Sequence, residues 1–200
     1  MKKISLFFLI SLLFVSHLNA QVEIKPGIKG GLNIADLTNT DNFGGSSKSI
    51  TSFHIGGTLS FKFAEFYTLQ PEILYSKQGS DISLGGSNGN IKIELDYLSI
   101  PINNKFHVGN KGLNFQIAPV IDILINDKNV EDPQEVDIAV AVAIGYDLTN
   151  GVVISVGYKQ GLTDLFGRNV DTGNGFETTE VSDLMLNKVI QLSVGYQFDF

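Results

Sequence analysis

Beyond Val22 the apolar residues of this chain recur at every second position and are interrupted by clusters of Gly, Asn, Asp and Ser. Period two is the spacing of a strand with two chemically different faces, and such clusters are turn chemistry. The pattern predicts eight strands, at 22–35, 51–63, 66–78, 91–106, 113–125, 135–148, 152–160 and 187–200. In the second, Ile55, Gly57, Leu59, Phe61 and Phe63 alternate with His54, Gly56, Thr58, Ser60 and Lys62. In the sixth, Val136, Ile138, Val140, Val142, Ile144 and Tyr146 alternate with Asp137, Ala139, Ala141, Ala143, Gly145 and Asp147. The last puts Ile190, Leu192, Val194, Tyr196, Phe198 and Phe200 on one face and Gln191, Ser193, Gly195, Gln197 and Asp199 on the other. Helical spacing explains none of them.

The connections alternate in length. Ala64-Glu65, HVGNKG and TNG are short, and the last carries the Asn-Gly signal of a tight hairpin. Those at 36–50, 79–90, 126–133 and 161–186 are long and polar. An even number of strands with short turns at one end and long loops at the other is the arrangement of an outer-membrane barrel with periplasmic termini. The predicted fold is therefore all-β, an eight-stranded antiparallel up-and-down transmembrane β-barrel with short periplasmic turns and long extracellular loops. Each predicted strand reaches the roughly 9 to 11 residues that a tilted strand needs to cross a bilayer.

The first residues follow other rules. Lys2 and Lys3 precede the apolar run ISLFFLISLLFV, and HLNA precedes Gln21. A charged start, an apolar stretch and a small residue at the cut predict a cleaved signal peptide at 1–20 ahead of a barrel domain at 21–200. The run is about a dozen residues, too short to span as a helix. Nothing after it resembles a helical span, so a membrane location requires a closed barrel. Charged residues make up 18% of the chain, below the roughly 25% usual for soluble domains. Cleavage removes two of the fourteen basic residues and no acidic one, taking the formal charge from −7 to −9, which excludes nucleic acid as a partner. Without cysteine there is no disulfide, thiolate metal site, cysteine nucleophile or lipidated N-terminal cysteine.

Alternation alone does not say which face points inward, since a soluble periplasmic lipocalin-like barrel around an apolar ligand shows the same period. The polar set breaks the tie, being mostly Gly, Ser, Ala, Gln and Thr, small neutral groups that suit a narrow lumen better than a wet exterior. The apolar set is bulky, and its aromatics gather at strand ends: Phe61, Phe63 and Tyr67, then Phe106, Tyr146, Tyr196, Phe198 and Phe200. That distribution matches an interfacial girdle on the periplasmic side, and the predicted location is the outer membrane.

Five segments also carry a resemblance: GIKGGLNIADL, LQPEILYSKQGS, LDYLSIPI, GYKQGL and LSVGYQF. Together and in this order they resemble the PorT-type outer-membrane β-barrel family of Bacteroidota over nearly the whole chain after residue 20. The resemblance implies an eight-stranded barrel in the outer membrane of a diderm bacterium. It departs at APVIDILI, where Ala118 stands in place of an expected glycine. The family covers many barrels of unknown role, so secretion is not carried over.

An eight-stranded barrel has an interior about wide enough for side chains to fill. Lys29, Lys62, Gln70, Glu72, Asp122 and Lys159 are expected to project into it as a structural network, with lysines neutralising Glu72 and Asp122, because a buried unpaired carboxylate costs several kcal/mol. The alternative is a narrow channel. A hydrolase triad of Ser52 or Ser76 with His54 and Glu72 can also be drawn, but a polar lumen explains His54 more simply, and no enzyme is predicted. His107 falls in a short turn at the opposite end. The loops gather Asp127, Glu131, Asp132, Glu135 and Asp137, then Asp164, Asp171, Glu177, Glu180 and Asp183, without calcium-loop spacing. They read as solvated loops, and no metal or cofactor is predicted. Expected partners are outer-membrane lipid and lipopolysaccharide, the barrel assembly machinery, which would read Tyr196, Phe198 and Phe200 as a signal, and an unidentified surface partner meeting loops 36–50, 79–90, 126–133 and 161–186. The expected function is that of a small integral outer-membrane barrel with a filled lumen, structural or surface-interacting.

Overall fold

A computed structural model of the chain describes residues 22–39, 45–84, 89–109, 112–130, 133–166 and 184–199. The predicted signal peptide and Phe200 lie outside the described residues. Eight strands follow one another: β1 (Glu23–Leu37), β2 (Gly45–Ala64), β3 (Tyr67–Leu84), β4 (Asn90–His107), β5 (Leu113–Lys128), β6 (Val136–Asp147), β7 (Val152–Gly161) and β8 (Asn187–Gln197). Each pairs antiparallel with its neighbours in sequence, and β8 closes on β1 with Gly27 opposite Gln197 and Leu37 opposite Asn187. Closure leaves the strands no edge within the ring, which lets a sheet survive in hydrocarbon.

Side-chain parity follows the ring. Ile28, Leu32, Ile55, Ile73, Ile117, Ile138, Val142 and Val194 are exposed on the outside, while Asn33, His54, Glu72, Ser76, Asn103, Gln116 and Lys159 are buried within. This apolar exterior around a polar interior overturns the lipocalin-like alternative, which needs the reverse. At the short-turn end the aromatics meet, Phe63 against Tyr67 at 6.2 Å, Tyr67 against Phe106 at 5.5 Å and Tyr196 against Phe198 at 5.2 Å between ring centres. The Tyr67 hydroxyl donates to Asn104 Oδ1 at 2.8 Å, so one end of the ring system is apolar and the other polar, as suits an interface.

Several strands outrun their predicted limits. β2 begins at Gly45 and β3 continues to Leu84, with Gly45 opposite Leu84 and Ser49 opposite Ser80. Segments predicted as loop, GSSKS and GSDISL, are therefore sheet. Conversely, β8 ends at Gln197, short of the predicted 200. On the outer flank the chemistry changes along β3, β4 and β5. Beyond Tyr75, Leu98 and Ile123 come Lys77, paired with Asp96 at 3.3 Å, and Asn126, which donates to Asp96 at 3.2 Å. Further along, Glu94 takes Lys92 at 2.7 Å and Lys128 at 3.3 Å. Outside the apolar band, its carboxyl is held below the ordinary value by the hydrogen bond from Lys92 first and that from Lys128 second.

Inside, the long-loop end is closed by an apolar cluster of Leu37, Ile82, Ile93, Leu95, Tyr97, Leu165 and Met185. Leu165 and Met185 belong to the connection between β7 and β8. Backbone bonds fix them there, Leu165 N to Met185 O at 2.9 Å and Gln134 N to Leu165 O at 2.7 Å. A smaller apolar layer of Ala118, Val120 and Ala139 lies on β5 and β6. Two glycines are dictated locally. Gly151 turns the TNG hairpin at φ +83°, and a Cβ on Gly31 would collide with the Leu192 carbonyl oxygen and sit 2.8 Å from the His54 ring.

Candidate functional site

The lumen gathers most of the buried polar side chains. Lys29 on β1 reaches Glu72 on β3 at 2.9 and 3.3 Å to its two oxygens, and Gln70 donates to the same carboxylate at 2.6 Å. Ser60 donates to Gln70 Oε1 at 2.7 Å and accepts from Gln197 at 2.9 Å, so β1, β2, β3 and β8 meet in one network. Higher up, Lys159 pairs with Asp122, and Gln78 donates to the same Asp122 oxygen at 3.3 Å. Five of the six residues expected in the network are thus brought into two buried ion-pair groups. Lys62 is not among them. It continues the inward parity of β2 but lies at the rim, exposed and without an ion pair among the described residues. Instead Lys105, which the sequence reading passed over, is 1% exposed with Asp147 at 3.7 Å. Its signal was available, since Ser99, Asn103 and Lys105 share the inward parity of β4.

His54 finds other partners than predicted. Its Nδ1 meets Asn33 Oδ1 at 2.8 Å and its Nε2 meets Ser193 Oγ at 3.0 Å. Ser52 instead donates to the Lys77 carbonyl at 2.6 Å, Ser76 accepts from Asn33 at 3.1 Å, and Glu72 is held by Lys29. The triad drawn from sequence is therefore not assembled. Ser193, His54 and Asn33 do stand in the order of nucleophile, base and orienting group. Yet the cavities that Ser193 lines are about 20 and 30 Å³, room for a water molecule but not for a substrate.

A larger cavity of about 380 Å³ opens at the short-turn rim, bordered by Lys62, Thr68, His107, Asp147 and Gln197. His107 meets Thr68 Oγ1 at 3.1 Å there. The acidic loop residues are dispersed. Asp137, counted with the acidic loop but also on the polar face of the predicted sixth strand, is buried in β6, where it accepts from Asn187 Nδ2 at 3.1 Å. Asp164 accepts from the backbone N–H groups of Met185 at 2.7 Å and Phe166 at 3.1 Å, pinning the apolar cluster. Glu131, Asp132, Asp171, Glu177, Glu180 and Asp183 lie outside the described residues. Among the described residues no group of three or more His, Cys, Asp or Glu is placed to hold a metal ion.

Known proteins of similar architecture include Ail of Yersinia pestis, at 12% identity and TM-score 0.49 over 88% of this chain and 99% of that one. Neisserial surface protein A is similar at 12% identity and TM-score 0.47, over 86% and 97%. OprG of Pseudomonas aeruginosa follows at 10% identity and TM-score 0.45, over 88% and 96%. No curated protein matches the chain significantly. The sequence profile of the family described as outer membrane protein beta-barrel domain matches residues 19–167. With the closed eight-stranded ring and its apolar exterior already in view, that match over most of the chain places the protein in the outer membrane, and it belongs to the outer membrane protein beta-barrel domain family.

Proposed function

We propose that this protein is a small integral outer-membrane barrel that conducts no solute and acts structurally or through its outer surface. One observation carries the reading: the apolar cluster of Leu37, Leu95, Tyr97, Leu165 and Met185 lies over a side-chain network in which the two cavities lined by Lys29, Gln116 and Ser193 are about 20 and 30 Å³, the larger one of about 380 Å³ opening only at the short-turn rim. The ion pairs Lys29–Glu72 and Lys159–Asp122 cross-link strands on different sides of that interior. The resemblance to the PorT-type family of Bacteroidota fits the same reading. So does an outer flank whose charged side chains, Lys77, Lys92, Glu94 and Lys128, begin where the apolar band ends and are suited to lipopolysaccharide headgroups. Tyr196 on the closing strand and Phe198 just beyond it are suited to recognition by the assembly machinery. The test is conductance of the refolded chain in planar bilayers in molar potassium chloride. A silent membrane is expected, and discrete ohmic steps that scale with the number of inserted barrels would overturn the reading.

A further inference from the structure

Beneath the apolar cluster, Asp122 and Asp137 face each other across β5 and β6 in register, both buried, at 0% and 4% exposure. They share one cation, Lys159, which pairs with Asp122. The other carboxylates of the lumen each have an ammonium of their own, Lys29 for Glu72 and Lys105 for Asp147. This group is therefore short by one positive charge. It is also short of donors. Gln78 spends its amide N–H groups on Asp122 Oδ2 and Ser76 Oγ, and Asn187 spends its own on Asp137 Oδ2 and the Tyr97 hydroxyl. That leaves Asp122 Oδ1, Gln78 Oε1 and Asn187 Oδ1 without a hydrogen-bond partner, on side chains at least nine-tenths buried.

We infer that this cluster binds one small monovalent cation of the sodium class, with Asp122 and Gln78 as ligands on one side and Asn187 beside Asp137 on the other. A buried net charge is costly, and neutral water at the unpartnered oxygens leaves it in place. A single proton cancels the charge but supplies one donor, whereas three acceptors lack one. A cation cancels the charge and accepts several oxygen ligands at once. Carboxylate and amide oxygens are hard donors suited to such ions, and a divalent ion would overshoot a deficit of one. Lys159 stands between this cluster and the nearer cavity below it, and the apolar cluster lies above, so the ion is taken up as the barrel folds and exchanges slowly afterwards. This inference is independent of whether the outer surface has a partner.

The test is refolding of the barrel in sodium chloride or in N-methylglucamine chloride of equal ionic strength, followed by urea unfolding and by retention of radioactive sodium after desalting. For the wild type a higher unfolding midpoint in sodium is expected, with about one retained ion per barrel. Asp137→Asn, checked for folding by its unboiled gel migration, should lose both effects. Gln78→Met removes one ligand without changing the charge and should raise the sodium needed for half the shift on the order of tenfold. Equal midpoints in the two salts with no retained sodium would overturn the proposal. So would a midpoint that follows pH but not sodium, since a proton would then supply the charge.

Discussion

Replacing either member of the Lys29–Glu72 pair strands the other, and the two strandings differ in a way the structure sets. Glu72 is 0% exposed at its side chain, and without Lys29 it keeps only the hydrogen bond from Gln70. In Lys29→Met that carboxylate is left buried without its cation, which costs about 3–5 kcal/mol. In Glu72→Met the ammonium of Lys29, 17% exposed and bordering a cavity of about 20 Å³, recovers some hydration, so the loss is about 3 kcal/mol. The double variant removes both charges and should fall near wild type or above it, as apolar replacements of buried ion pairs do by about 1–4 kcal/mol. The chain has no tryptophan, so urea unfolding in lipid vesicles is followed by far-ultraviolet circular dichroism. The expected cycle gives a coupling beyond about 3 kcal/mol, with the Lys29→Met penalty the larger of the two single losses. Additive single losses, or a Lys29→Met penalty smaller than that of Glu72→Met, would refute the reasoning.

Other outcomes follow from the same geometry. Val194 is 55% exposed on the outer face of β8, and Val194→Arg should destabilise the barrel by about 2–4 kcal/mol if it lies near the bilayer midplane; unchanged unfolding in vesicles would place that face out of lipid. Protease added to intact cells should cut within 161–186 or 126–133 and spare 107–112, because exposed long loops are the usual sites of nicking; fragments from the short turns instead would mean an inverted insertion.

The alternation that made β6 and β8 legible exists because one face meets lipid and the other a polar interior. Where both faces are polar, above the apolar band, the signal vanishes, and GSSKS and GSDISL read as loop although they pair residue by residue. Parity is likewise blind to depth. Lys62 has the parity of a lumen residue and sits at the rim, while Asp137, at the edge of an acidic stretch, is buried. The partners of His54 were the least legible, because Asn33 and Ser193 reach it only through the pairings of β1 with β2 and of β8 with β1. Those contacts depend on closure and register, and no spacing along the chain encodes them.

The strand lengths have a consequence for the outward shape. β7 has 10 residues and β2 has 20. At about 3.3 Å per residue and a tilt near 40° these give heights of about 25 and 50 Å, against an apolar band of about 25 Å. The tube is cut on a slant, its rim level with the bilayer along β6 to β8 and standing well clear of it along β2 to β5. In that upright part the ring is open: residues 46–49 pair only with β3 and residues 126–128 only with β4 among the described residues. The protein therefore raises a four-stranded palisade beside its own mouth, its β5 border without a further strand at 126–128 and its β2 border held only through Asp36, which accepts from the Ser47 and Ser49 hydroxyls. Lys48 stands on one border and Lys128 on the other, and a charged border of this kind deters indiscriminate pairing with neighbouring chains.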